Sequence, residues 1–196
     1  MKDREELKVE RQKKRTPRKV TAKYLDNAAL YYLSRYATSA KNLRRVMMRK
    51  MQLSASHHGT DPEDGAALLD AMIARFLDSA LLDDAAYART KAAGLHRRGN
   101  SARVIRGKLS QKGVGNDDIS AALDALRDDL TDGLNPELAA AITLARRRRL
   151  GPFATKPPTE DTREKHLAAL ARAGFSYDIA RRVIDAKCEE DLEQLT

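Results

Sequence analysis

A short pattern recurs along this chain and limits what it can fold into: a basic turn, a serine, a short cationic segment with helical periodicity, and a glycine-marked break. Arg35-Tyr36-Ala37-Thr38-Ser39 leads into Leu43-Arg44-Arg45-Val46-Met47, and sixty-two residues later Arg97-Arg98-Gly99-Asn100-Ser101 leads into Ile105-Arg106-Gly107-Lys108-Leu109. At that offset Arg35 matches Arg97, Ser39 matches Ser101, Leu43 matches Ile105, Arg44 matches Arg106, Met47 matches Leu109 and Lys50 matches Lys112. A looser third copy begins at Arg146-Arg147-Arg148-Arg149 and ends in Leu170-Ala171-Arg172-Ala173-Gly174-Phe175, which parallels Leu109-Ser110-Gln111-Lys112-Gly113-Val114. Repetition at this spacing predicts stacked supersecondary units, each too small to bury its apolar face alone. Stacking also multiplies one cationic surface along an axis, which suits a repeated anionic or filamentous partner.

The apolar periodicity is helical throughout. Thr21 is placed to cap a helix reaching about Tyr36, with Leu25, Ala28, Ala29 and Tyr32 on one side. Ser39 caps a second, carrying Leu43, Val46, Met47 and Met51, and Asp61-Pro62 starts a third with Leu69, Met72, Ile73, Phe76 and Leu77 at i, i+3, i+4, i+7 and i+8. The plan repeats from Asp83, with Ser101 capping a short helix that Gly113 ends, and Asn116 or Asp117 opening one with Ile119, Ala122, Leu123, Leu126 and Leu130. A third round starts at Asn135-Pro136-Glu137, breaks at Gly151-Pro152 and Lys156-Pro157-Pro158, and continues as helices from about Thr159 to Ala173 and from Ser176 to about Leu192. No stretch alternates apolar and polar residues long enough for a strand. The fold expected is all-α: about nine helices in tandem three-helix repeats over residues 20–80, 81–133 and 134–196.

Charge sets the class of partner. The 196 residues include 37 Lys plus Arg and 28 Asp plus Glu, a formal net charge of +9 that favours polyanions. Residues 1–19 hold nine bases and four acids with only Leu7 and Val9 apolar after Met1, a composition that predicts a disordered basic tail. Such a tail either adds counterion release on a phosphate backbone or simply aids solubility. The single cysteine, Cys188, excludes an internal disulfide framework and fits a reducing, cytoplasmic setting; no apolar run is long enough to span a membrane.

Leu81-Leu82-Asp83-Asp84-Ala85-Ala86-Tyr87-Ala88, followed by Arg97-Arg98-Gly99-Asn100, Ile105, Leu109, Lys112-Gly113-Val114 and Ile119, resembles the signature of the RecX family, regulators of the RecA recombinase. Ala145 to Phe153 and Leu170 to Tyr177 are similar to the same family in its proteobacterial form, so the resemblance spans roughly residues 21–187. Tyr87 stands where that family often has Phe, the first repeat matches least well, and Lys156-Pro157-Pro158 is an insertion. The resemblance implies an elongated and curved protein that lies in the groove of the RecA filament on single-stranded DNA and limits ATP hydrolysis, strand exchange and coprotease activity, hence a role in DNA repair and the SOS response. It implies no enzyme activity of its own, no cofactor, a monomer, and at most weak binding to double-stranded DNA.

The residues expected to make that contact are Arg97, Arg98, Arg103, Arg106, Lys108 and Lys112 in or beside one short helix, with Arg146, Arg147, Arg148 and Arg149 on the next repeat, all able to meet carboxylates or phosphates. Arg44, Arg45, Arg49 and Lys50 are weaker candidates, and every such cluster also reads as a solvated face. Gly99, Gly113 and Gly174 are expected to serve turns and caps rather than contacts. His57, His58, His96 and His166 lack ligand spacing for zinc, and Gly107-Lys108 lacks the glycine spacing of a phosphate-binding loop. Two other readings stay open. A helix-turn-helix regulator fits the outline of residues 101–130, although its second helix carries Asp117, Asp118, Asp124, Asp128 and Asp129 against Arg127 alone. A purely protein-binding helical scaffold is the third.

Overall fold

The computed structural model describes residues 17–59, 62–128, 135–155, 159–188 and 191–192. Most of the basic tail, the Asp61 cap, Asp129, Leu130 and the Lys156-Pro157-Pro158 break lie outside the described residues. Among the described residues there are nine α-helices and no strand: α1 Ala22–Leu33, α2 Ala40–His58, α3 Pro62–Asp78, α4 Asp84–His96, α5 Ala102–Gln111, α6 Asn116–Asp128, α7 Pro136–Arg148, α8 Glu160–Arg172 and α9 Tyr177–Ile184, with a 3₁₀ turn at Gly151–Phe153.

Side-chain caps start most of these helices. The Thr21, Asp83, Ser101, Asn135, Thr159 and Ser176 oxygens each accept from a backbone amide of the first turn. Each cap satisfies a donor that has no partner inside the helix, an effect of about 1 kcal/mol. Two helices end earlier than their periodicity predicts. Helix α1 stops at Leu33, where the amides of Arg35 and Tyr36 both turn back to the Tyr32 carbonyl and tighten the last turn. Helix α9 stops at Ile184 with Asp185 as its C-cap; Leu192, expected on that helix, is buried beyond its end.

The chain divides into two compact units. The first, residues 1–37 and 42–81, holds α1, most of α2 and α3. Leu25 and Ala29 of α1, Leu43, Met47 and Met51 of α2, and Leu69, Met72 and Phe76 of α3 are buried there. Two ion pairs link its helices: Arg44 grips Asp70 through two nitrogens, at 2.5 and 3.0 Å, and Arg75 reaches Asp26 at 2.7 Å.

The second unit comprises residues 38–41 and 82–196 and therefore α4 to α9. It contains two separate apolar clusters. Helices α4 to α6 contribute Ala88, Ala92, Leu95, Ile105, Leu109, Ile119, Ala122 and Leu126 to one. Leu138, Ala141, Ala145, Leu150, Leu170, Phe175, Val183 and Leu192 belong to the other, around α7 to α9.

One joint occurs twice in this unit, at equivalent positions of the recurring pattern. The Ser39 hydroxyl donates to the Lys112 carbonyl, while the Ala40 amide donates to Asp84 Oδ1 at 2.8 Å. Sixty-two residues on, the Ser101 hydroxyl donates to the Ala173 carbonyl at 2.7 Å and the Ala102 amide donates to the Glu137 carboxylate. Both serines are fully buried. Each ties the start of one helix to the end of another that lies seventy or so residues further along, and an acid from a third helix neutralises the exposed amide. Burial raises the pKa of Asp84 above the usual carboxylate range, against the lowering effect of its bond from the Ala40 amide.

The glycines of the pattern serve this joint as well as their turns. Gly113 and Gly174 have φ of +80° and +97°, as C-terminal turns require. A Cβ on Gly113 would also meet the Lys41 side chain, and one on Gly174 would meet Ser101 Oγ at 2.5 Å. Expected only as turn positions, they are close contacts too.

Candidate functional site

All ten arginines and lysines expected at the site are exposed. Their backbones are set by the turns around them. Arg97 is the C-cap of α4, and Gly99, at φ +74°, turns the chain toward the Ser101 cap of α5. Gly99 sits directly on α7: a Cβ there would lie 2.7 Å from the Leu144 nitrogen and 2.9 Å from the Ala140 oxygen. That approach brings two sequence-distant basic segments together, and the Arg147 guanidinium donates to the Arg98 carbonyl at 2.9 Å. The Arg97-Arg98 turn and the Arg146–Arg149 run are thus neighbours, a relation that no local spacing reveals.

Within the run, the four arginines differ. The Arg146 guanidinium lies 5.3 Å from the Phe153 ring centroid, a cation–π distance. Arg149 is the C-cap of α7 in the left-handed conformation, φ 57° and ψ 52°, where glycine is usual. Helix α7 ends in three arginines, a placement its negative dipole end favours.

The cations of α5 separate. Arg103 and Arg106 line a cleft of about 330 Å³ together with His96, Ser120, Leu123, Asp124, Arg127 and Glu137. Arg103 also reaches the Ala171 carbonyl at 3.4 Å. Lys108, two residues beyond Arg106 and so about 160° round the helix, reaches back to Asn100 Oδ1 at 2.8 Å. The Arg106 side chain, exposed on α5, forms no hydrogen bond or ion pair among the described residues, so its charge is available to a partner. The six cations around α5 therefore present two flanks rather than one face.

Helix α6, the reader in a helix-turn-helix interpretation, exposes Asp117, Asp124 and Asp128, and its Arg127 is held by Asp124 at 2.7 Å. That surface repels a phosphate backbone. In the first unit Arg44 is spent on Asp70, whereas Arg49 and Lys50 are exposed. Three of the histidines have local partners: His58 Nε2 lies 2.7 Å from the Pro17 carbonyl, His96 Nε2 lies 2.8 Å from the Pro136 carbonyl, and His166 Nδ1 accepts from the Gly151 amide at 3.1 Å. The His57 ring stacks beside that of His58, with centroids 5.2 Å apart. Among the described residues no group of three His, Cys, Asp or Glu side chains could hold a metal ion, and no helix is long and apolar enough to cross a membrane.

Sequence reading passed over two exposed tyrosines at the end of α1, Tyr31 and Tyr36. Their signal was available: Tyr31 lies off the Leu25-Ala29 stripe, and Tyr36 stands at the Arg98 position of the recurring turn.

Comparison with known proteins covers most of the chain. A family profile described as the second three-helix domain of RecX matches residues 83–123. The crystal structure of RecX from Lactobacillus salivarius superposes with a TM-score of 0.62 at 22% identity, covering 88% of this chain and 97% of that one, and shows the same fold. The protein named regulatory protein RecX from Agrobacterium fabrum is 34% identical over 164 residues, 84% of this chain and 83% of its own length. The protein of that name from Myxococcus xanthus is 46% identical over 180 residues, 91% of this chain and 93% of its own, and on that likeness the chain belongs to the RecX family.

Proposed function

We propose that this RecX-family chain regulates the RecA recombinase by lying along the RecA filament on single-stranded DNA, where it limits ATP hydrolysis, strand exchange and coprotease activity and so tempers DNA repair and the SOS response. The observation that supports this most is the pairing of Arg147 with the Arg98 carbonyl, which joins two basic segments from different parts of the chain into one exposed cationic surface. Such a surface is matched to carboxylates on a protein filament and to phosphates of the strand inside it. The division into three-helix repeats over 20–80, 81–133 and 134–196 belongs to the same reading, in which each repeat presents its basic turn to successive parts of the filament. The chain acts as a cytoplasmic monomer, by occupancy and without catalysis of its own.

The test is RecA's DNA-dependent ATP hydrolysis with increasing amounts of this protein, with filaments imaged from the same samples. Inhibition at or below stoichiometry, with shortened or decorated filaments, is the expected result. Unchanged hydrolysis and bare filaments would overturn the reading. Reversal of Arg97, Arg98 and Arg106 to Glu should weaken inhibition at least tenfold, about 1.4 kcal/mol, while leaving helicity intact because all three side chains are exposed.

A further inference from the structure

We infer that the cleft between α5, α6 and the start of α7 binds a small organic acid, an apolar body with one carboxylate that Arg106 holds. The site needs no recombinase to be occupied and so goes beyond the RecA reading.

The repeat explains why the cleft is there. Leu69 and Met72 of α3 correspond to Leu123 and Leu126 of α6, all four buried, which places Asp70 and Asp124 at matching positions. Arg44 and Arg106 match likewise. In the first unit the pair closes on itself, since Arg44 grips Asp70 through two nitrogens. In the second repeat it does not: Asp124 accepts from Arg127 at 2.7 Å instead, and Arg106 has no carboxylate among the described residues. Arg106 and Asp124 line a cleft of about 330 Å³, at the small end of the about 300–1,000 Å³ typical of small-molecule sites.

Short side chains keep the cleft open. Ala102, Ser120 and Pro136 line it without filling it, while Ile105, Leu123 and Leu126 give it a buried apolar floor. Most of its polar groups are engaged. Glu137 accepts from the Ala102 amide, His96 Nε2 lies 2.8 Å from the Pro136 carbonyl, and Arg103 reaches the Ala171 carbonyl at 3.4 Å. Arg106 and the half-buried Ser120 are the polar lining side chains left without a hydrogen bond among the described residues.

These groups select the ligand. A guanidinium matches a carboxylate through two parallel bonds, as Arg44 does with Asp70, and the floor takes an apolar remainder. Asp124 and Glu137 set the charge: two carboxylates beside one open guanidinium repel a phosphate dianion and tolerate a monoanion. The volume admits one compact molecule rather than a length of peptide. Arg106 is also one of the cations assigned to the filament, so a bound acid would compete there; that consequence alone rests on the proposed function.

The experiment titrates the full-length protein, without RecA, with naphthoate and with its uncharged analogue naphthamide, following backbone amides by nuclear magnetic resonance. Naphthoate should give saturable shifts centred on α5, α6 and Glu137, and naphthamide should bind about tenfold more weakly, about 1.4 kcal/mol. Arg106→Gln should remove the acid's advantage, and Lys108→Gln, on the opposite flank of α5, should keep it. Asp124→Asn, which takes away a repelling carboxylate, should tighten naphthoate binding. All three side chains are exposed, so circular dichroism should show helicity unchanged. Equal affinity for acid and amide, shifts centred elsewhere, no saturable shift, or an advantage that survives Arg106→Gln would each overturn the proposal. So would tighter binding of naphthyl phosphate, which would assign the cleft to phosphate esters. In the RecA hydrolysis assay, saturating naphthoate should relieve inhibition; binding without relief would overturn the competition. Because binding is measured without RecA, failure of the RecA reading leaves it in place, which separates the two.

Discussion

Replacing Gly99 with alanine tests the structural basis of the cationic surface. Two penalties are expected. At φ +74° an alanine adopts a left-handed backbone that costs about 1 kcal/mol. Its Cβ would also stand 2.7 Å from the Leu144 nitrogen and 2.9 Å from the Ala140 oxygen. Both are backbone atoms inside α7 and cannot swing aside as a side chain does, so overpacking adds about 1–3 kcal/mol. The sum, about 3 kcal/mol, lowers the folded-to-unfolded ratio by over a hundredfold. Two further substitutions calibrate it. Gly59→Ala faces open space at φ +63° and should show the backbone penalty alone, about 1 kcal/mol. Gly107→Ala, inside α5 with nothing within 4 Å, should stabilise by about 0.5–1 kcal/mol. Urea unfolding followed by far-ultraviolet circular dichroism measures all three. A Gly99→Ala loss no larger than that of Gly59→Ala would refute the close approach to α7. The same variant, assayed well below its unfolding temperature, should inhibit RecA less well, because the Arg97-Arg98 turn must move away from Arg147.

Ser101→Ala removes both the cap of α5 and the buried bond to the Ala173 carbonyl, and should cost about 2 kcal/mol in urea unfolding. Arg149→Gly relieves a left-handed arginine and should raise stability by about 1 kcal/mol while weakening filament binding through the lost charge; titration of the variant on filaments checks the second half. Asp185 pairs with Arg163 through two contacts, at 2.7 and 2.8 Å, and this hydrogen-bonded guanidinium holds its pKa below the usual carboxylate range. Its stabilising effect is therefore complete above the ordinary carboxylate pKa and is lost as pH falls through the depressed one, so the stability gap between wild type and Asp185→Asn should close in acid. Asp84 has the opposite sign: with its pKa raised by burial, the wild type should gain on Asp84→Asn as pH falls through that raised value.

The helical class, the caps and the recurring turn were legible in the sequence because they depend on local chemistry. Thr21, Asp83, Ser101 and Asn135 cap the helices their positions predict, and Thr159 and Ser176, expected only as helix starts, cap theirs, since a cap needs only an oxygen within three residues of a free amide. The positive φ of Gly99, Gly113 and Gly174 follows from the same short range. Exposure of the ten cations was equally legible, because they lie off the apolar stripes.

What only the tertiary structure decided involves pairs far apart in the chain. Nothing around Ser101 announces that its hydroxyl meets Ala173, or that Gly99 lies on the backbone of α7 and thereby brings Arg98 to Arg147. The two flanks of α5 likewise depend on which neighbours pack beside the helix, Glu137 and Asp124 on the Arg106 side and Asn100 on the Lys108 side. Helix periodicity states which face of a segment is buried and leaves its partner open; that choice belongs to the packing of whole helices, where close approach of glycine to backbone and burial of a single hydroxyl select one arrangement from many.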